Sequence, residues 1–282
     1  MTIEQILKKY RTIEIELLLL HALGKPKEFL YIHPETKLTI LQYKKVLQYV
    51  KRRQKGEPMA YILGYKDFYG LRFKVNNHVL IPRPETEMIV DAVVQALGLL
   101  HKPEKQATGP HYNRKIRILD VGTGSGCIAI SLAKNLKADL YASDVSKKAL
   151  SIAKQNASQH HVKIKFIKSD LLKNINGDFD IITANLPYGW HGVKNRFSSV
   201  KDGLKFEPQS ALYTQEKGLM EIRRLLEQIS SREYQPKFVY LEFDPRQKKD
   251  LQKLIKKYLP SSNIGFHRDL NNFWRCAEVE IV

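Results

Sequence analysis

Cysteine is almost missing from this chain. Cys127 and Cys276 are the only two in 282 residues, too few for a disulfide framework and without the spacing of a cysteine metal site. Long apolar runs are missing as well: no stretch of 18 apolar residues occurs, which excludes a transmembrane helix. The opening MTIEQILKKYRTIEIELLLLHALGKP holds an apolar patch, but Glu14 and Glu16 interrupt it. The order of a secretion signal, basic start, apolar middle and small-residue cleavage site, is absent. A cytoplasmic protein with no membrane partner is therefore expected. Internal repeats and low-complexity tracts are absent too. Acidic side chains are scarce, 29 against 47 basic ones, leaving a net charge of +18. That excess suits a polyanion such as RNA or DNA. It also suits a merely solvated surface, because the lysines are dispersed through LKKY, YVKRRQKG and RQKKDLQKLIKKY. Direct nucleic-acid contact is thus allowed but not required, and a monomer is expected.

What is present divides the chain in three. A hydrophobic content of 43% supports one large domain plus a small one. Residues 1–56 read as short helices. Thr2 and Gln5 have capping-box spacing, and Gly24 and Pro26 stop the segment LLLLHALG. Thr39 can cap a helix carrying Ile40, Tyr43, Leu47 and Val50 at helical spacing. This small helical domain serves either to dock a substrate or as a structural cap. Residues 57–83 change character: LRFKV and HVLI flank Asn76-Asn77, which predicts a β-hairpin linker. Residues 84–282 form the main domain. Pro84 opens a helix with acids in its first turn. From residue 116, IRILDV, DLYASD, KIKFI, FDIITAN and KFVYLEF are strands, separated mostly by helices near 126–136, 146–158 and 214–230. That alternation predicts an α/β fold with a mostly parallel sheet. After a helix at 245–258, SNIGFHRDL and FWRCAEVEIV predict a terminal antiparallel hairpin, making seven strands.

Chemistry concentrates at the strand ends. ILDVGTGSGCIAISLAK runs a buried strand into Gly122-Thr123-Gly124-Ser125-Gly126 and then a helix. Glycines belong where a ligand must approach the backbone closely. The D-x-G-x-G-x-G pattern lacks the dinucleotide G-x-G-x-x-G spacing. An acid at Asp120 would repel a pyrophosphate but suit a ligand bearing an ammonium and a sulfonium. Asp144 ends the next strand, where an acid can accept from two ribose hydroxyls; alternatively Asp144 or Ser146 is a helix N-cap. Asp170 follows the third strand and can accept from an adenine amino group with Leu171 against the ring, or be a surface turn. At the end of the fourth strand stands ANLPYGW. The Asn185 side-chain oxygen and the Leu186 carbonyl could hold both N–H groups of an –NH2, with Tyr188 packed on its plane and Pro187 shaping the turn. Positive charge developing on that nitrogen would strengthen both bonds. His160-His161 have no partner acids or cysteines at ligand spacing, so no metal is expected. Cys127, at a helix start, is expected to pack. Trp190 either shapes the acceptor pocket or packs the following loop.

Together the glycine loop, Asp144 and Asp170 resemble the cofactor site of S-adenosylmethionine-dependent methyltransferases. The likeness implies a Rossmann-like class I methyltransferase domain and that cofactor, bound by residues 120, 122–126, 144, 170, 171 and 185. Asn-Leu-Pro-Tyr resembles the Asn-Pro-Pro-Tyr motif of amino-methylating enzymes, with Leu186 in place of proline. EPMAYILGYKDFYGLRFKVNNHVLIPRPETE, FEPQSALYTQEKGLMEIRRLL and YLEFDPRQ resemble segments of the protein-(glutamine-N5) methyltransferases that act on peptide chain release factors. This implies transfer to the glutamine of a Gly-Gly-Gln loop, with Asn185, Leu186, Pro187, Tyr188, Arg83 and Glu85 near the substrate. Lys217 where the family carries an acid, LEFDP for a more usual small or glycine-containing stretch, and the bulky NNFWRC are departures. Three rivals stand beside it: a nucleic-acid adenine or cytosine N-methyltransferase, a ribosomal-protein glutamine methyltransferase, and a binding module on a degenerate methyltransferase fold.

Overall fold

A computed structural model describes residues 1–10, 13–100, 115–190 and 203–282, apart from the side chains of residues 13 and 98–100. The chain divides into two compact units, broken at Tyr65/Lys66, with residues 203–206 belonging to the first. The first unit holds α1 (Ile3–Tyr10), α2 (Ile13–Leu23), α3 (Glu28–Ile32), α4 (Ile40–Gln54) and α5 (Met59–Leu63). Thr39 and Gln42 close a reciprocal capping box at the start of α4, and Thr2 and Gln5 do the same at α1. Their inward faces share one apolar core that includes Ile3, Ile6, Leu18, Leu19 and Val46, all at most 2% exposed. Helical structure thus continues beyond residue 56.

A two-stranded sheet follows, β1 (Tyr65–Phe68) and β2 (Leu71–Lys74). The linker does form a hairpin, but its strands and turn fall earlier than the expected turn at Asn76-Asn77. Its turn is Tyr69-Gly70, both at positive φ (50° and 71°), the combination a two-residue primed turn requires. Asn76 instead makes a local turn, its Oδ1 accepting from His78 N at 3.0 Å, and HVLI is not a strand.

The second unit is built on seven strands: β3 (Arg117–Val121), β4 (Asp139–Asp144), β5 (Ile164–Lys168), β6 (Ile181–Ala184), β7 (Phe238–Glu242), β8 (Asn263–Arg268) and β9 (Trp274–Glu280). Their spatial order is β5-β4-β3-β6-β7-β9-β8. All neighbours pair in parallel except β9, which runs antiparallel to both β7 and β8. Helices α6 (Glu87–Leu100), α7 (Cys127–Asn135), α8 (Lys147–Gln159), α9 (Gln209–Leu212), α10 (Met220–Ser230) and α11 (Lys248–Tyr258) accompany it. Successive strand residues feed opposite cores: Leu119, Ile182 and Val239 lie in one, Ile118, Ile181 and Phe238 in the other. A sheet covered on both faces explains why these strands read as continuous apolar runs. After β3 the chain winds outward through β4 and β5, then returns to place β6 on the other side of β3. Such a reversal opens a crevice beyond the carboxyl ends of the strands.

Candidate functional site

That crevice is a cavity of about 630 Å³. Its floor is the loop after β3. Gly122 and Gly124 lie at φ 72° and 57°, a left-handed region costly to residues with a Cβ. The loop is tied down on every side. Thr123 N donates to Ser143 O at 2.9 Å, and Gly124 N donates to Asp144 Oδ2 at 2.9 Å. Asn156, fully buried, donates to Ser125 O at 2.8 Å and accepts from Lys74 N at 2.8 Å.

The expected site residues divide at the cavity wall. Gly122, Thr123, Gly124, Ser125, Asp144, Asp170, Leu171, Asn185, Leu186, Pro187 and Arg83 line it. Asp120, Gly126, Tyr188 and Glu85 do not. Asp120 is 1% exposed; its carboxylate accepts from Thr123 Oγ1 at 2.6 Å and Thr183 Oγ1 at 3.0 Å. Burial raises its pKa to about 6 despite those bonds. It therefore shapes the loop from below and acts on a ligand only through its field. Gly126 packs: a Cβ there would stand 3.0 Å from Ile130 Cδ1 and 3.2 Å from Ala153 Cβ.

Asp144 is not the N-cap of α8. Ser146 takes that role, accepting from Ala149 N at 3.2 Å. Each Asp144 oxygen accepts one backbone N–H, from Gly124 and from Ser146, leaving lone pairs for further donors. Burial raises its pKa. Asp170 already carries two cations, Arg224 at 2.6 Å and Lys173 at 2.8 Å, and Arg224 above all depresses its pKa. Leu171 turns its side chain in from φ 51°. The Cys127 thiol is pushed up to about 12, mainly by burial, which makes it inert. Trp190 lies under the Arg246 guanidinium at 4.4 Å and off the cavity wall; the loop after it falls outside the described residues.

The Asn-Leu-Pro-Tyr stretch is held by residues distant in sequence. Asn185 Nδ2 donates to Thr86 Oγ1 at 3.0 Å. Among the described residues, no group bonds Asn185 Oδ1 or the Leu186 carbonyl. The Leu186 side chain is 5% exposed and reaches within 3.0 Å of where a Gly122 Cβ would be, so it packs directly on the glycine loop. The Tyr188 hydroxyl donates to Glu242 Oε1 at 2.9 Å. Burial first, then the Glu242 charge, drives the phenol well above its usual range. Gln247 Nε2 donates to Tyr188 O at 3.0 Å and to Lys217 O at 2.7 Å. Gly189 exchanges bonds with Leu212 O and Thr214 N, both at 2.9 Å. Behind Tyr188, Glu216, Lys217 and Gly218 take three successive positive φ values of 55°, 52° and 85°. At the rim, buried Glu207 pairs with Arg83 Nη2 at 2.6 Å and accepts from Ile81 N at 3.0 Å.

A protein-family model described as the PrmC N-terminal domain matches residues 4–64, and one described as the methyltransferase small domain matches residues 106–202. A release factor glutamine methyltransferase of Lactococcus lactis is 34% identical over 235 residues, covering 83% of this chain and 81% of that protein. The chain belongs to the release factor glutamine methyltransferase family. Another member of the family, from Flavobacterium psychrophilum, is 37% identical and covers 81% of this chain and 78% of its own. A bifunctional methyltransferase of Rickettsia bellii is 35% identical over 96% of this chain, yet the chain spans only 51% of that relative. Among solved structures, the human METTL16 catalytic domain in complex with a MAT2A 3′UTR hairpin has a TM-score of 0.58 at 15% identity, covering 86% of this chain and 82% of that one. The METTL16 N-terminal domain in complex with SAH has a TM-score of 0.52 at 15% identity, covering 98% and 96%. Both share the class I methyltransferase fold.

The segments that carry the resemblance have physical roles in this structure. In FEP, Glu207 anchors Arg83. In EKGL, Gly218 leaves room for the Tyr188 backbone. In YLEFDPRQ, Glu242 and Gln247 hold Tyr188 at its two ends. Thr86, Asn156, Glu207, Glu242 and Gln247 were not among the expected site residues. The one visible signal was Glu242, an acid closing an otherwise apolar strand.

Proposed function

We propose that this chain transfers a methyl group from S-adenosyl-L-methionine to the side-chain amide nitrogen of the glutamine in the Gly-Gly-Gln loop of peptide chain release factors. The relatives named for that activity support the substrate, although the chain covers only about half of the bifunctional relative, 51%. The observation that carries the reading is the pair of unengaged acceptors, Asn185 Oδ1 and the Leu186 carbonyl, at the wall of a cavity floored by the glycine loop.

The residues present fit the cofactor. The loop offers bare backbone at Gly122 and Gly124, Asp144 offers lone pairs suited to a ribose diol, and Leu171 offers an apolar wall. Carboxylates at Asp120 and Asp144 suit a cation. When bound, the cofactor supplies an electrophilic methyl on a sulfonium. The chain does the rest. An amide nitrogen is a weak nucleophile because its lone pair is delocalised into the carbonyl. Asn185 Oδ1 and the Leu186 carbonyl each accept one of its two N–H groups and fix its direction, a proximity effect. As the new N–C bond forms and the sulfonium S–CH3 bond breaks to leave a neutral thioether, positive charge passes from sulfur to nitrogen, and both acceptors bind the transition state more tightly than the ground state. The methylated nitrogen is acidic and loses a proton readily, so no strong base is needed beforehand. Leu186 in place of proline leaves this intact, because the reaction uses its carbonyl. We assign substrate docking to the helical unit.

Incubation with methyl-labelled cofactor and a release factor, a ribosomal-protein mixture or DNA tests the reading. Label on the Gly-Gly-Gln glutamine, located by peptide mass spectrometry, supports it. Label in DNA or ribosomal protein, but not in release factor, overturns it.

A further inference from the structure

An amide presents a donor and an acceptor of nearly the same shape, and the Thr86 hydroxyl can meet either one. The clamp works only if the oxygen of Asn185 faces the substrate. We propose that Glu242 sets this polarity through Thr86, making both positioning residues of the acceptor clamp; the proposal rests on the methyl-transfer reading above.

Glu242 closes β7 and is 1% exposed. Its Oε1 accepts from the Tyr188 hydroxyl at 2.9 Å. Its Oε2 is buried with no hydrogen-bond partner of good geometry among the described residues. Thr86, 2% exposed, lies beside this same carboxylate, and its hydroxyl favours the charged form against the larger effect of burial, which raises the Glu242 pKa. An ionised carboxylate can only accept. The Thr86 proton is therefore drawn toward Glu242, and the Thr86 lone pair is left facing Asn185, where Nδ2 donates at 3.0 Å. With its NH2 end engaged, Asn185 must present Oδ1 outward. The chain of dependence is carboxylate, hydroxyl, amide, substrate. The same carboxylate anchors the Tyr188 ring, so the first and last residues of Asn-Leu-Pro-Tyr are referred to one buried anion. Leaving that anion half-satisfied is costly in a low-dielectric interior, which makes sense if its unmet acceptor is what orders the hydroxyl next to it.

Glu242→Gln keeps the shape and supplies an NH2 that can donate to Thr86. Thr86 would then donate to Asn185 and turn the amide round. Thr86→Val keeps shape and removes the hydroxyl; Thr86→Ser keeps the hydroxyl and removes a methyl. A purely structural role favours Val, and the polarity role favours Ser. Steady-state methylation should show kcat down on the order of 100-fold for T86V and E242Q, as for loss of one oriented transition-state contact. KM for the acceptor and cofactor affinity should stay within about 3-fold, and T86S should recover most of the kcat lost in T86V. Equal kcat for T86S and T86V, or wild-type kcat in E242Q, overturns the proposal. A second readout needs no acceptor: hydrogen exchange of the Asn185 side-chain amide by ¹⁵N NMR, its signal identified by disappearance in N185D. Exchange should quicken about 10-fold or more in T86V, as for one lost hydrogen bond, but not in T86S. Unchanged exchange in T86V overturns the brace even if the wild type methylates release factor. Quickened exchange in T86V, together with a wild type that methylates no glutamine, leaves the brace standing and sinks the substrate reading instead.

Discussion

Gly218→Ala is the sharpest single perturbation of the acceptor loop from outside the cavity. A Cβ at Gly218 would collide with the Tyr188 carbonyl oxygen and the Gln247 amide, and would stand 2.7 Å from the Tyr188 carbonyl carbon. Carbon atoms pack at about 3.5–4.0 Å, so something must move by roughly 1 Å. Tyr188 and Gln247 are bonded to each other at 3.0 Å, and they would be pushed together or parted. A residue other than glycine at φ 85° also costs about 1–2 kcal/mol. Losing the Gln247–Tyr188 hydrogen bond adds about 1 kcal/mol. Stability should therefore fall by about 2–3 kcal/mol, a visible drop in Tm without loss of the fold. The catalytic effect should be larger than the stability effect suggests. Displacing reacting groups by about 1 Å costs on the order of 100-fold in rate, and the Tyr188 carbonyl is two residues from the Leu186 carbonyl. Gly218 is not on the cavity wall, so cofactor affinity measured by calorimetry should change by less than about 3-fold, whereas kcat should fall on the order of 100-fold. A folded Gly218→Ala enzyme with wild-type kcat would show that the packing behind Tyr188 does not transmit to the acceptors, and the reasoning would be wrong.

Asn185→Ala should lower kcat by about 100- to 1,000-fold while cofactor binding persists, as for removal of a preorganised transition-state contact; unchanged turnover in single-turnover assays would remove Asn185 from the mechanism. Asp144→Ala should weaken cofactor binding by roughly 10- to 100-fold, the range for lost hydrogen bonds to a charged group, and calorimetry showing unaltered affinity would refute the ribose role. Leu186→Pro should keep kcat within about 10-fold, since the carbonyl survives and no backbone partner takes the Leu186 N–H among the described residues; abolished transfer with intact folding would show that the side chain matters more than the carbonyl. Asp120 makes a pH prediction: its folded pKa of about 6 lies above the 3.8 of a free aspartate. The folded state holds the proton longer, so this group's contribution is complete below about pH 4 and is lost as pH rises to 6, at about 1.4 kcal/mol per unit. The unfolding free-energy difference between wild type and Asp120→Asn should vary across that window, and a flat difference would refute it.

The central strands β3, β6 and β7 were legible because they are buried nearly throughout and read as mostly apolar runs, and the glycine loop because only bare backbone suits that turn. The first hairpin was not. Tyr69 holds φ 50° because Glu87, eighteen residues on, accepts from its N–H at 2.7 Å; nothing local marks that, whereas Asn76-Asn77 carries turn residues without a returning strand. The brace behind the clamp was hidden for the same reason. Thr86 and Asn185 are 99 positions apart, and Tyr188 and Glu242 are 54 apart. Asp120 was expected beside a ligand from its place just before the glycine loop, and Glu85 from the family resemblance; burial under Thr123 keeps the first from the cavity, and Thr86 rather than Glu85 meets Asn185.

The position of β6 beside β3 has one more consequence. Val121 and Ala184 are partners in the parallel register, so the loops that begin at Gly122 and Asn185 leave from adjacent strands at the same height. Neighbouring strands stand about 4.8 Å apart, and reacting atoms must approach to about 3–3.5 Å. On the proposed function, the sheet acts as a ruler between methyl donor and methyl acceptor. Inserting one residue in either strand would move its loop by about 3.3 Å along the strand, roughly the whole reacting distance. The reach of the reaction is therefore written into backbone pairing, and side chains only trim it.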